Sequence, residues 1–157
     1  MSTTTRSEAS ALLGRTLAEG YGPGAWHGAD FKAALADVTD ATAFRRPAPD
    51  RHNIAEIALH HAYCVRNVRG RLSGAAPEPF ILEGDDWFPV SDSSQVTWSQ
   101  IRQTVETEQQ QLAEVVEAVA SGRSSPLSET EQFDIVLGIT CHAVYHAGQV
   151  QLVKKFF

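Results

Sequence analysis

His142 and His146 bracket the run His142-Ala143-Val144-Tyr145-His146. Residues four apart on an α-helix lie on one face, about 5–6 Å apart at Cβ, so both imidazoles can reach one metal ion. Around them Ile135, Ile139, His142, His146, Gln149 and Val153 step by 4, 3, 4, 3 and 4 residues. That is the spacing of a core-facing helical stripe. Both rings are therefore expected to face the interior, where an unpaired imidazole is costly. A cation would supply the missing partner; backbone carbonyls or water are the alternative. The run lacks the Glu beside the first His that marks a metalloprotease helix.

An open catalytic metal site takes three protein ligands and leaves a position for water or substrate. The third ligand has to come from another helix, and His60-His61 offers it. The stripe Ile54, Ile57, Cys64 and Val68 brackets the pair, yet His60 lies three residues after Ile57 and His61 four. Periodicity predicts that one points inward and the other outward, without choosing. His27 and His52 fall outside the stripes and read as ordinary loop histidines. Glu108 sits on an expected inward stripe, where a carboxylate is costly unless paired or ligating. It is a candidate fourth ligand or general base, or else a bundle-edge residue. Glu56 can orient His60 from one turn away or serve as a helix cap. Gln149 shares the face of His146 and can hydrogen-bond to it or pack. Cys64, one turn beyond His60, reads as a small packed thiol, with metal ligation as the alternative; Cys141 also reads as a packed thiol. Trp26, Trp87 and Trp98 are candidates for a pocket mouth or for the core.

Four helical blocks must position these groups. The first runs from about Ser7 to Glu19, with Leu12, Leu13 and Leu17 inward and Gly20-Tyr21-Gly22-Pro23-Gly24 as its stop. A short helical piece follows Asp30, a plausible N-cap. The second long helix starts near Asn53, where Asn53 and Glu56 have capping-box spacing, and reaches about Leu72. Residues 73–96 form a long Gly, Pro and Ser-rich connection. Because it contains Trp87, Phe88 and Pro89, it is expected to fold back over the bundle. The third helix opens at the capping box of Thr97 and Gln100, with the stripe Trp98, Ile101, Val105, Glu108, Leu112, Val115 and Val119. The fourth opens at Ser128 and Glu131 and runs to Lys154-Lys155, cations suited to the negative end of a helix dipole. Strand-like alternation and internal repeats are absent. The pattern predicts an all-α four-helix bundle, residues 1–157 as a single domain, with one long crossover connection and residues 1–6 as a loose tail.

The chain has 13 Lys and Arg against 19 Asp and Glu, a net charge of −6. Its longest basic runs are Arg45-Arg46 and Lys154-Lys155, which argues against nucleic acid and anionic membranes as main partners. No apolar stretch approaches the ~20 residues of a membrane span. The start lacks an apolar export segment, and the two cysteines form neither a disulfide framework nor a Cys-x-x-Cys motif, so a cytoplasmic location is expected. Serine hydrolase chemistry has no Gly-x-Ser-x-Gly elbow to rest on. A di-iron site of the ferritin type would need Glu-x-x-His pairs, which are missing.

The runs from His52 to His60 and from His142 to Gln149 resemble the two signature helices of the DinB/YfiT-like family. Trp26-His27-Gly28, and the Asp85-Asp86-Trp87-Phe88-Pro89 loop ahead of Thr97-Trp98, resemble one branch of it. The likeness extends from about residue 12 to 155. It implies a four-helix bundle, often homodimeric, holding a divalent metal through His60, His142 and His146; the choice of His60 over His61 comes from this resemblance. It further implies a metal-dependent enzyme acting on a small molecule, either a thiol-dependent S-transferase using a low-molecular-weight thiol or a hydrolase-like catalyst. The metal is open among zinc, nickel and iron. The alternative is a non-catalytic, dimeric metal- or small-ligand-binding module.

Overall fold

Side-chain caps set where the helices begin. Asp30 accepts from Ala33 N–H, and Asn53, Thr97 and Ser128 each accept from the backbone N–H three residues on. Glu56, Gln100 and Glu131 return the bond to the cap backbone, completing three capping boxes. The computed structural model describes residues 3–157, without the side chains of residues 3–7, 9 and 10. Its helices are α1 (Thr3–Tyr21), α2 (Phe31–Ala36), α3 (Asp40–Ala43), α4 (Ile54–Ser73), α5 (Trp98–Ala120) and α6 (Glu129–Lys154). Strands are absent among the described residues. The first helix starts a turn earlier than its periodicity implies. Of the six residues expected as a tail, 3–6 are helical, and residues 1 and 2 lie outside the described residues.

The four long helices form a ring in which α1 and α4 each pack against both α5 and α6. Residues 74–97 retrace α4 from its end to its start. Arg66 Nε donates to Glu78 O at 2.8 Å, Tyr63 OH to Asp85 Oδ1 at 3.0 Å, and Asn53 Nδ2 to Val90 O at 2.7 Å. The chain thus returns to the start of α4 before α5 begins, and α5 runs parallel to α4. This is the expected crossover. The turn into α6 lies at the other end, where Ser125 Oγ donates to Leu72 O at 2.6 Å, so α6 runs back antiparallel to α4. Gly20 lets α1 touch α6: a Cβ there would stand 2.7 Å from Thr140 O. Gly74 ends α4 in the left-handed conformation, φ 73°, that glycine adopts without penalty.

Two apolar clusters fill the bundle. One gathers Phe31, Ile54, Ile57, Leu59, Ile101, Ala143 and Val150; the other gathers Leu17, Val65, Leu72, Leu112, Val136 and Ile139. Three stripes sit differently from their periodicity. On α1, Leu17 is buried while Leu12 is exposed. On α5, Gln109 and Val116 are buried where Glu108 and Val115 were expected. On α6 a second buried line, Val136, Thr140, Ala143, Ala147 and Val150, runs one step round from the histidines. Of the histidine seam, Ile139, His146 and Val153 are buried as expected, while His142 and Gln149 are only partly buried beside that line. Among the described residues no helix is long and apolar enough to cross a membrane.

Candidate metal centre

Every residue from Asn53 to Ala62 is buried. The bundle covers one side of this stretch of α4, and the returning crossover covers the other. His60 and His61, 7% and 1% exposed, therefore both point inward, which overturns the expectation that one would face solvent. Opposite them, α6 presents His142 and His146.

The rings meet through their Nε2 atoms. His142 Nε2 lies 3.1 Å from His60 Nε2 and 3.1 Å from His146 Nε2. Nitrogens about 2.0–2.1 Å from one tetrahedral ion stand about 3.3 Å apart, so this spacing matches ligands of a shared ion. The remaining ring nitrogens are engaged elsewhere. His60 Nδ1–H donates to the Asp86 carbonyl at 2.9 Å, with the Asp86 carboxylate at 3.0 Å. His146 Nδ1–H donates to Gln149 Oε1 at 2.6 Å. With both protons on Nδ1, His60 and His146 turn bare Nε2 lone pairs toward His142. A single His142 Nε2–H can satisfy one of them; a cation satisfies all three. The two spacings that run through His142 suit neighbouring ligands of one divalent ion.

Burial, with the neighbouring histidines adding to it, pushes His142 down to about 4. Burial also takes His146 down to about 4, against the Gln149 bond, which favours its protonated form. His61 falls well below the ordinary imidazole value, through burial first and then through His142, His146 and His60. At neutral pH these rings are uncharged and free to ligate. Cys64 joins the cluster one turn after His60. Its Sγ is 3.9 Å from His60 Nε2, and the donor atoms of His60, Cys64 and His142 lie within 4.8 Å of one another. Burial, then the Asp86 charge, raises its thiol to about 11. Cys141 is exposed, contrary to its reading as a packed thiol.

Gln149 and Trp87 are in place: Gln149 holds His146, and the Trp87 indole lies flat on His60. Glu56 is not turned toward His60. It holds Arg46, His52 and the Val90 N–H, fastening the crossover to α4. Glu108 pairs with Arg69 at 3.2 Å and lines a separate cavity of about 250 Å³ with Phe80 and Thr104. Trp26 is 94% exposed, held by its backbone N–H to Glu19, with its indole packed on nothing. Trp98 is core, its Nε1–H donating to Val38 O. The periodicity missed Asp86, which reaches His60 from a loop at φ 64°, a backbone Asp tolerates better than most residues. His52, read as an ordinary loop residue, stacks on the other face of Trp87 at 3.8 Å.

No curated protein and no solved structure matches the chain. The family model of the DinB superfamily matches residues 25–150, which takes in both histidine helices, the crossover and α5. The chain belongs to the DinB superfamily.

Proposed function

We propose that this protein is a metal-dependent enzyme in which His60, His142 and His146 hold one divalent ion and leave a position for a small-molecule substrate or a low-molecular-weight thiol. The observation that carries the reading is the pair of Nε2 lone pairs, from His60 and His146, converging on His142 Nε2 at 3.1 Å. When bound between three neutral imidazoles, the ion keeps its full charge and acidifies a thiol or water brought to it. The chain's own residues orient and enclose. Asp86 and Gln149 fix two rings, Trp87 covers His60, and Tyr145, 64% exposed, accepts from Gln149 Nε2 at the outer edge. Thiol-dependent S-transfer and hydrolase-like chemistry are both open to such a centre, as are zinc, nickel and iron.

A second reading has its own observation. Cys64 Sγ lies 3.9 Å from His60 Nε2, and its sulfur is within 4.8 Å of the donor atoms of both His60 and His142, close to the ~3.5 Å between nitrogen and sulfur on one tetrahedral ion. A closed shell of His60, Cys64, His142 and His146 would make the site structural, in a binding module without turnover. Cobalt substitution separates the two. An open site shows sulfur-to-cobalt charge transfer only after a small thiol is added. A closed one shows it from the start, loses it in Cys64→Ala, and does not respond to thiol. Wild-type protein that takes up no divalent ion refutes both.

The same reading makes the protein a homodimer, paired through α6. Phe133, Leu137, Tyr145 and Leu152 are exposed along that helix, and no charged residue occurs between Asp134 and Lys154. A solvent-facing helix surface normally carries charge, whereas an interface is depleted of it.

A further inference from the structure

His61 is 1% exposed and takes no part in the three-nitrogen cluster. Its Nδ1 lies 2.9 Å from His142 Nδ1, the rings nearly parallel with centroids 5.2 Å apart. Its Nε2 is buried without a hydrogen-bond partner. Two ring nitrogens 2.9 Å apart share one proton, which leaves two arrangements. In the first, His142 Nδ1–H donates to His61 Nδ1, and His142 Nε2 is a bare lone pair facing His60 and His146. In the second, His61 Nδ1–H donates to His142 Nδ1, and the His142 proton sits on Nε2, where it blocks ligation.

Only the first is compatible with a metal, and it places the His61 proton on the partnerless Nε2. We propose that His61 is a positioning residue: its Nδ1 accepts from His142 Nδ1–H and so holds His142 in the tautomer that ligates through Nε2. Asp86 does this for His60 and Gln149 for His146. All three ligands would then lean on an acceptor, and outer partners of this kind are worth about 10–100-fold in metal affinity. A buried, orphaned N–H is costly, so the site retains His61 at the expense of fold stability. Phe31 packs against the His61 ring with centroids 4.4 Å apart, so the surroundings of His61 on that side are apolar.

The inference rests on the metal reading, and the test keeps the two apart. Zinc affinity would be measured by chelator competition for wild type, His61→Phe and His61→Asn, with the thermal stability of the zinc-free forms alongside. His61→Phe should bind zinc about tenfold more weakly or worse while remaining as stable as wild type without zinc. His61→Asn, whose Oδ1 stands near the lost Nδ1, should recover most of the affinity. A purely structural His61 would instead lower zinc-free stability and leave the affinity of the folded protein unchanged. Should His61→Phe fail to fold, ¹⁵N spectra of zinc-loaded wild type decide. His142 must carry its proton on Nδ1, and His61 must carry its own on Nε2. Zinc bound equally well by His61→Phe, or a His61 protonated on Nδ1, overturns the positioning role and leaves the metal site standing. Wild type that binds no zinc removes both.

Discussion

The Trp87 indole lies against the His60 imidazole with ring centroids 4.0 Å apart and planes within 2° of parallel. His52 stacks on the opposite face at 3.8 Å, so the indole is a flat spacer between a loop histidine and a cluster histidine. Stacked aromatic pairs contribute about 0.5–1.5 kcal/mol beyond area burial. Trp87→Ala is expected to weaken zinc binding by roughly 2–10-fold, the same energy expressed as affinity. Unchanged affinity in chelator competition would show that Asp86 alone orients His60.

The His142→Ala, His146→Ala double variant should retain no zinc and lose the stabilisation that zinc confers. At zinc a hundredfold above Kd, that stabilisation is about 2.7 kcal/mol, or roughly 5–10 °C in Tm for a chain of this size. Elemental analysis of untagged protein, with melting curves with and without zinc, checks it. Stoichiometric zinc in the double variant would contradict the assignment.

Acid should unfold the metal-free protein partly through Glu56. Burial alone would raise this carboxyl, but bonds from Arg46, His52 and the Val90 N–H outweigh it and hold Glu56 below its ordinary value of 4.5. A carboxyl depressed in the folded chain contributes stability above its unfolded value and loses it as pH falls through the folded one. Below pH 4.5 the crossover should therefore loosen from α4. Glu56→Gln should cost about 3 kcal/mol at neutral pH, because it leaves Arg46 and buried donors poorly matched. Its stability should also vary less with pH below 4.5 in urea titrations.

Glu108→Gln should leave zinc affinity within twofold of wild type, since the carboxylate belongs to Arg69 and not to the histidines. Burial raises this carboxyl against the pull of Arg69, so its replacement should cost only about 1 kcal/mol. A large loss of metal or activity with normal stability would return Glu108 to the site.

Leu137→Lys, placing a charge on the bare face of α6, should convert a dimer to monomer without changing the melting of the monomer. Sedimentation at several concentrations reads this directly. A wild-type protein that is monomeric throughout would leave that face to some other partner.

Helix starts were legible because the caps are local: Asn53, Thr97 and Ser128 each announce themselves with a partner three residues on. The crossover was legible from its aromatic residues. What sequence spacing could not supply was the rotation of each helix within the bundle. His61 and Glu108 show why. A stripe with period near 3.6 is satisfied almost equally by neighbouring residues, and what settles the choice is tertiary: crossover cover for α4, and the Arg69 side chain for Glu108. Asp86 was out of reach for another reason. A loop residue with left-handed backbone carries no periodic signal, and its value to His60 comes from a path that only the folded crossover defines.

That path has a consequence for how the protein opens. His60, Asp86 and Trp87 come from one continuous segment, α4 and its return strand of chain, and are joined within 27 residues. His142 and His146 arrive on α6, 82 residues beyond His60 at the nearest contact. The cluster thus joins two half-sites, one local to α4 and its crossover and one carried in from α6. Swinging α6 outward about the turn at residues 121–128 would part the nitrogens and leave the His60 half assembled, as a clasp opens without losing either jaw. A bound ion, by tying the two halves together, should slow solvent exchange of backbone amides around the cluster in both α4 and α6.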